Sequence, residues 1–144
     1  MDLEPLDPLA HEVIVVTVGQ APILAHPRLA RIAAQTWREV AGGALLACAA
    51  LPDQVHALVE ITDLSSLDRR VAAYKAGAQA ATIDAIRRYH ADELLDVVTR
   101  YSPVWPHMVY RVWQDGYHHR GLFSREQIAR LARTLQERGA ASAR

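Results

Sequence analysis

Hydrophobic positions change period as the chain proceeds, from two to nearly four and back, and each change predicts an element boundary. In His11-Glu12-Val13-Ile14-Val15-Val16-Thr17-Val18 both parities are largely apolar and β-branched, which predicts a central strand stopped at Gly19. Gly19-Gln20-Ala21-Pro22 supplies the turn. Pro27 is placed to open a helix running to about Val40, with Gly42-Gly43 closing it. Leu29, Ile32, Ala33 and Trp37 recur at helical spacing there, and Arg28, Arg31, Arg38 and Glu39 cover the outside. Residues 44–50 read as a second strand, joined through the tight turn Leu51-Pro52-Asp53 to an alternating run over 54–61, which makes an antiparallel hairpin. In that run Gln54, His56, Leu58 and Glu60 share one side. Val55, Ala57, Val59 and Ile61 make the other side wholly apolar.

Asp63-Leu64-Ser65-Ser66 is a helix-start signal, and Leu67, Val71, Tyr74 and Ala78 form the stripe that follows. This helix reaches about Tyr89, continuous or broken near Gly77. A further helical piece covers 92–100, with Leu94, Leu95, Val97 and Val98 inward, until the prolines of Tyr101-Ser102-Pro103-Val104-Trp105-Pro106 end it. Met108-Val109-Tyr110-Arg111-Val112-Trp113 alternates as a strand, turned at Gln114-Asp115-Gly116 into Tyr117-His118-His119-Arg120. Ser124-Arg125-Glu126-Gln127 is a capping box for a last helix to about Arg138, with Ile128, Leu131, Ala132 and Leu135 inward and Gly139 as its stop. The order predicts an α+β fold, a ferredoxin-like antiparallel sheet with helices packed on one face. Residues 1–10 form a flexible N-terminal segment, 11–138 the domain and 139–144 a tail.

Composition narrows the picture without naming a chemistry. With 144 residues, 51% apolar and 22% charged, the chain is long enough for one domain with a core of its own. Cys48 is the only cysteine, which excludes an internal disulfide and fits a small packed hydrophobe. The acidic, proline-containing start Met1-Asp2-Leu3-Glu4-Pro5 is no signal peptide, and no apolar run is long enough for a membrane span, so a cytoplasmic location is expected.

Net charge is zero, but its distribution is uneven. Residues 1–60 carry three basic and seven acidic side chains, whereas residues 61–144 carry thirteen and nine. From Arg100 onward eight arginines face only Asp115, Glu126 and Glu137, so basic character gathers where a phosphate backbone is best met. At 100° per residue Gln127, Thr134 and Arg138 line one flank of the last helix, with Arg130 nearby. That flank reads as a phosphate-binding surface. Trp37, Trp105 and Trp113 are core candidates by type, and Trp113, beside a turn in the arginine-rich part, is the best placed for exposure. His118 and His119 are adjacent on a strand, point to opposite faces and are not expected to share a metal.

Two stretches carry a family resemblance. Ala49-Ala50-Leu51-Pro52-Asp53-Gln54-Val55-His56 resembles the Pro-Asp-His-x-His approach and metal-binding strand of single-tyrosine HUH transposases. Trp113-Gln114-Asp115-Gly116-Tyr117 resembles the Trp-Gln-Arg-Gly-Phe/Tyr segment of their REP-associated members. Residues 11–18 are similar to the opening strand, and Tyr74-Lys75 falls where a lysine follows the next helix's apolar stripe, so the likeness covers roughly 11–138, with an apparent insertion around 84–107. The resemblance implies Mg²⁺ or Mn²⁺ held by two strand histidines, and a helix tyrosine that cleaves and rejoins DNA through a phosphotyrosine. Here Gln54 stands for the first histidine, His56 is the second, and the family tyrosine falls near Thr134, on a helix without any tyrosine. A turn further on, where a third ligand is often supplied, stands Arg138. The expectation is a protein that binds single-stranded or hairpin DNA with Arg120, Arg125, Arg130, Arg133, Arg138 and Trp113, with cleavage impaired and the metal weak or absent. A nickase with a displaced tyrosine and a protein-interaction module, as in a homodimer, are the alternatives.

Overall fold

The register of two central strands sorts the sequence onto two faces. The computed structural model describes residues 7–89, 91–99 and 111–142. Its principal elements are β1 (Ala10–Val16), α1 (Pro27–Ala41), β2 (Leu45–Leu51), β3 (Gln54–Val59), α2 (Leu64–Arg88), α3 (Asp92–Thr99), β4 (His118–Leu122) and α4 (Arg125–Ser142). The strands form one antiparallel sheet in the order β2-β3-β1-β4. This is the α+β, ferredoxin-like arrangement expected from the sequence.

Val15 lies opposite Val55 and Val13 opposite Ala57, and these residues join α1 and α2 in the larger core. Trp37 of α1 and Tyr74 of α2 stack at 4.2 Å between ring centroids, and the Tyr74 hydroxyl donates to the Ala33 carbonyl at 3.0 Å. Asp63 caps α2 by accepting from the Ser66 N–H at 2.9 Å. The helix runs unbroken through Gly77, where an added Cβ would meet Thr36 Cγ2 of α1 at 3.4 Å. The glycine belongs to a close helix contact, not to a break.

On the other face Ala47, Ala49, Leu58 and Leu122 are covered by Ile128 and Leu135 of α4. Helices therefore cover both faces of the sheet instead of the single face expected. The physical reason is visible in β3, whose Leu58 is as apolar as the residues opposite it and needs its own cover. The last helix also runs past its expected stop. Gly139 lies within the helix over β2, where an added Cβ would make an ordinary contact with the Cys48 carbonyl oxygen at 3.4 Å, and the helix continues to Ser142.

Of the second expected hairpin, the described residues show the turn and the strand after it, which pairs with β1. Met108 to Tyr110 lie outside the described residues, as do Tyr101, Trp105 and residues 1–6. Arg111 and Val112 belong to no strand, and Trp113 makes an isolated bridge to Thr17. The strand after the turn starts at His118 and pairs with β1. The Lys75 ammonium holds the turn itself, donating to the carbonyls of Gln114 and Gly116 at 2.7 and 3.0 Å. At the N-terminal side, order begins before residue 11: the Leu9 N–H donates to the Leu122 carbonyl at 2.7 Å and β1 starts at Ala10. Among the described residues no helix is long and apolar enough to cross a membrane.

Trp37 has 0% exposure, so Trp37→Ala is expected to destabilise the domain by about 3–5 kcal/mol through lost burial and a residual cavity. Urea unfolding measures this, and a loss below about 1 kcal/mol would contradict the packing described.

Candidate nucleic-acid interface at the His56 cleft

The turn Pro52-Asp53 sets where β3 begins, and Thr17 fixes that turn. Its N–H donates to the Asp53 carbonyl at 3.0 Å, and its hydroxyl lies 2.7 Å from the Ala21 carbonyl oxygen. From there the two-residue period of β3 carries Gln54, His56 and Leu58 onto the face covered by α4. Ile14 is directly opposite His56, and Glu12 is opposite Leu58 and points to the same face. Arg120 of β4 is opposite Glu12.

These registers build a row of three charged or titratable groups. Arg120 Nε donates to Glu12 Oε1 at 3.0 Å, and His56 Nδ1 lies 3.6 Å from Glu12 Oε2. That second separation is ion-pair range, longer than a hydrogen bond. His56 is 7% exposed, and neither ring nitrogen finds a hydrogen bond within the described chain. The His56 imidazole beside it is the largest cause holding the Glu12 carboxyl below its ordinary 4.5, against desolvation, and the Arg120 charge adds to this.

The row forms one wall of a cleft of about 430 Å³, and α4 forms the other with Gln127, Arg130, Thr134 and Arg138. The α4 flank expected from helical geometry is therefore the flank that faces His56. It rises from a capped start: Ser124 Oγ accepts from the Gln127 N–H at 3.1 Å, and Gln127 Oε1 accepts from the Phe123 N–H at 3.1 Å. Thr134 donates its hydroxyl to the Arg130 carbonyl one turn back at 3.1 Å. Arg130 is paired with Glu126 at 3.1 Å across an exposed helix surface, a contact worth little in water. Among the described residues Arg138 has no ion pair, and no tyrosine lines the cleft.

Other sequence candidates are placed elsewhere. Gln54 shares the face of His56 but does not line the cleft. Arg125 and Arg133 are exposed on α4 away from it. Trp113, expected to be exposed, is 2% exposed and packs in the larger core near Tyr74, because its bridge to Thr17 turns the indole inward. A base has no face of Trp113 to stack on. Phe123, at 52% exposure, and Tyr89, at 50%, are the exposed aromatics among the described residues, and the Phe123 ring lies beside Gly121. Glu12 was not among the sequence candidates. A lone carboxylate within a β-branched run was its signal, since a charge in a central strand is buried only with partners.

A divalent cation, implied by the resemblance, does not fit these side chains. Among the described residues Glu12 is the one carboxylate lining the cleft, and it is already taken up by Arg120 and His56. Arg120, Arg130 and Arg138 bring three positive charges to the same space. Among the described residues no group of three His, Cys, Asp or Glu side chains is arranged to hold a metal. Guanidinium forks around one neutralised carboxylate suit an oxyanion.

No family model matches the chain, and no curated protein matches it. Solved structures do. A candidate transposase from Deinococcus radiodurans R1, known from a crystal structure, superposes with a TM-score of 0.58 at 18% identity over 96% of each chain. A REP-associated tyrosine transposase, solved bound to a REP hairpin, superposes with a TM-score of 0.51 at 11% identity. That match covers 94% of this chain and 68% of the other. The chain thus shares the fold of these transposases.

Glu12 has a depressed folded pKa, so the stability it contributes is present above the carboxylate's ordinary 4.5 and is lost as pH falls through the folded value. Urea unfolding from pH 7 to pH 3 is expected to show wild type losing stability in this acid window and Glu12→Gln losing less. Parallel pH profiles for the two proteins would contradict the Glu12 environment described.

Proposed function

We propose that this chain is a cytoplasmic nucleic-acid-binding protein built on a transposase fold, which holds single-stranded or hairpin DNA in the His56 cleft without cutting it. The observation that carries the reading is that α4 presents Thr134 and Arg138, and no tyrosine, across the cleft from His56. Cleavage through a phosphotyrosine needs an aryl hydroxyl within reach of the scissile phosphate. Thr134 offers an aliphatic hydroxyl committed to its own helix backbone. The Tyr117 hydroxyl is committed to Asp68 of α2, and Tyr74 is fully buried between Trp37 and Trp113. Neither supports a displaced nucleophile.

Binding, by contrast, suits what the cleft contains. Arg138, Arg130 and Arg120 supply planar donors that match phosphate oxygens, and the Gln127 amide nitrogen adds a neutral donor beside them. Such contacts fix a nucleic acid by its backbone and carry little sequence information. The hairpin in the structure of the REP-associated transposase supports DNA as the partner class. The same donors make Mg²⁺ and Mn²⁺ dispensable for binding.

Fluorescence anisotropy with a labelled hairpin carrying a single-stranded flank tests the binding. Three phosphate contacts predict a log–log salt slope of about −2 for single-stranded contacts. Absence of binding at low salt would contradict the reading. Denaturing electrophoresis after incubation with Mn²⁺ tests the lack of cleavage. Wild type is expected to give no covalent adduct; a wild-type adduct would show that the chain cuts.

A further inference from the structure

The far flank of α4 borders a second and larger space. Between α1, the edge strand β2 and the end of α4 lies a groove of about 810 Å³. Its apolar part is made of compact side chains: Pro27, Ala30 and Ala34 from α1, and Cys48 and Ala50 from β2. Burial pushes the Cys48 thiol up to about 12, so it remains an uncharged part of that surface at neutral pH. Arg31 and Arg38 line the same groove from exposed positions on α1, and among the described residues no carboxylate lines it. The neighbouring acids Glu39 and Glu137 stand outside the lining. Two amides, Gln35 of α1 and Gln136 of α4, complete the polar groups.

We infer that this groove is a second nucleic-acid site, which takes a few nucleotides of single strand continuing from the DNA held in the His56 cleft. It rests on the function proposed above. Small apolar side chains leave room for the flat face of a base, which loses water on contact. Guanidinium groups beside them meet the anionic backbone. The spacing agrees. Seven residues of helix separate Arg31 from Arg38, about 10 Å along the axis. Three stacked nucleotides at roughly 3.4 Å each cover the same length. Amide side chains supply the paired donor and acceptor that base edges use. The two spaces are also joined by one element: Arg138 lines the His56 cleft, while Gln136 and Gly139 line the groove. A strand leaving Arg138 over the C-terminal part of α4 enters the groove within a few residues.

The test compares two ligands by anisotropy, a bare hairpin and the same hairpin with a single-stranded flank of about ten nucleotides, within the usual range of single-strand site sizes. Wild type is expected to bind the flanked ligand more tightly. Arg31→Ala with Arg38→Ala is expected to weaken the flanked ligand roughly tenfold and to reduce its salt slope by about 1.4, while leaving the bare hairpin unchanged. Both side chains are exposed, and circular dichroism confirms that the variant is folded. Arg130→Ala with Arg138→Ala is expected to weaken both ligands. If wild type binds but the Arg31/Arg38 variant matches it, or loses both ligands equally, the second site is wrong and the proposed function stands. If wild type binds neither ligand, both fall. Sedimentation velocity separates one more occupant: a wild-type dimer that the Arg31/Arg38 variant dissociates would assign the groove to a second copy of the chain and overturn the inference.

Discussion

The register of β3 against β1 governs everything in the cleft. Both faces of β3 are buried, so a slip of one residue would carry His56 into the apolar core and bring Val55 or Ala57 beneath α4. The energetic penalty for exchanging an imidazole and an apolar side chain in this way is what holds the register. Thr17 adds a local restraint by fixing the Asp53 turn. With the register set, Ile14 has to face His56, Glu12 has to share its side, and Arg120 has to arrive beside Glu12 from β4. None of these three placements is independent of the others.

A second constraint comes from α4. Ile128 and Leu135 must lie on the sheet, and the helical period then assigns every other side chain a direction. Gln127, Thr134 and Arg138 turn toward His56, while Gln136 and Gly139 turn toward α1. A single amphipathic helix thereby borders two spaces lined by arginine. This explains how a chain of zero net charge presents strongly positive clefts: its acids are spread elsewhere, and the one carboxylate lining the His56 cleft is neutralised by neighbours. Where an imidazole pair would hold a cation, this cleft has one imidazole, one engaged carboxylate and three guanidinium groups.

Much of the fold was legible because it is written in short-range pattern. Alternation over 54–61 revealed β3 and its two faces, Pro27 and Gly42 bracketed α1, and the helical spacing of Gln127, Thr134 and Arg138 identified the flank that meets His56. What stayed hidden depends on residues far apart in the chain. Gly139 reads locally as a helix stop, yet the helix runs on to Ser142 with this residue packed over Cys48 and Ala49 of β2. Trp113 reads as a turn-flanking aromatic, and only the bridge to Thr17 takes it into the core. Cover on the second sheet face follows from Leu58 and Leu122 needing a partner that lies outside their own strands. Glu12 was visible as an anomaly, but its partners Arg120 and His56 are distant in sequence.

The central claim is that the space between His56 and α4 receives a phosphate and not a metal with a nucleophile. A crystal structure of the chain with a hairpin oligonucleotide, grown with Mn²⁺ present, tests it most directly. The account predicts an intact backbone with a phosphate hydrogen-bonded to Arg138 or Arg130 beside His56, and no anomalous manganese signal there. Manganese bound to His56, or a DNA end covalently joined to the protein, would contradict it.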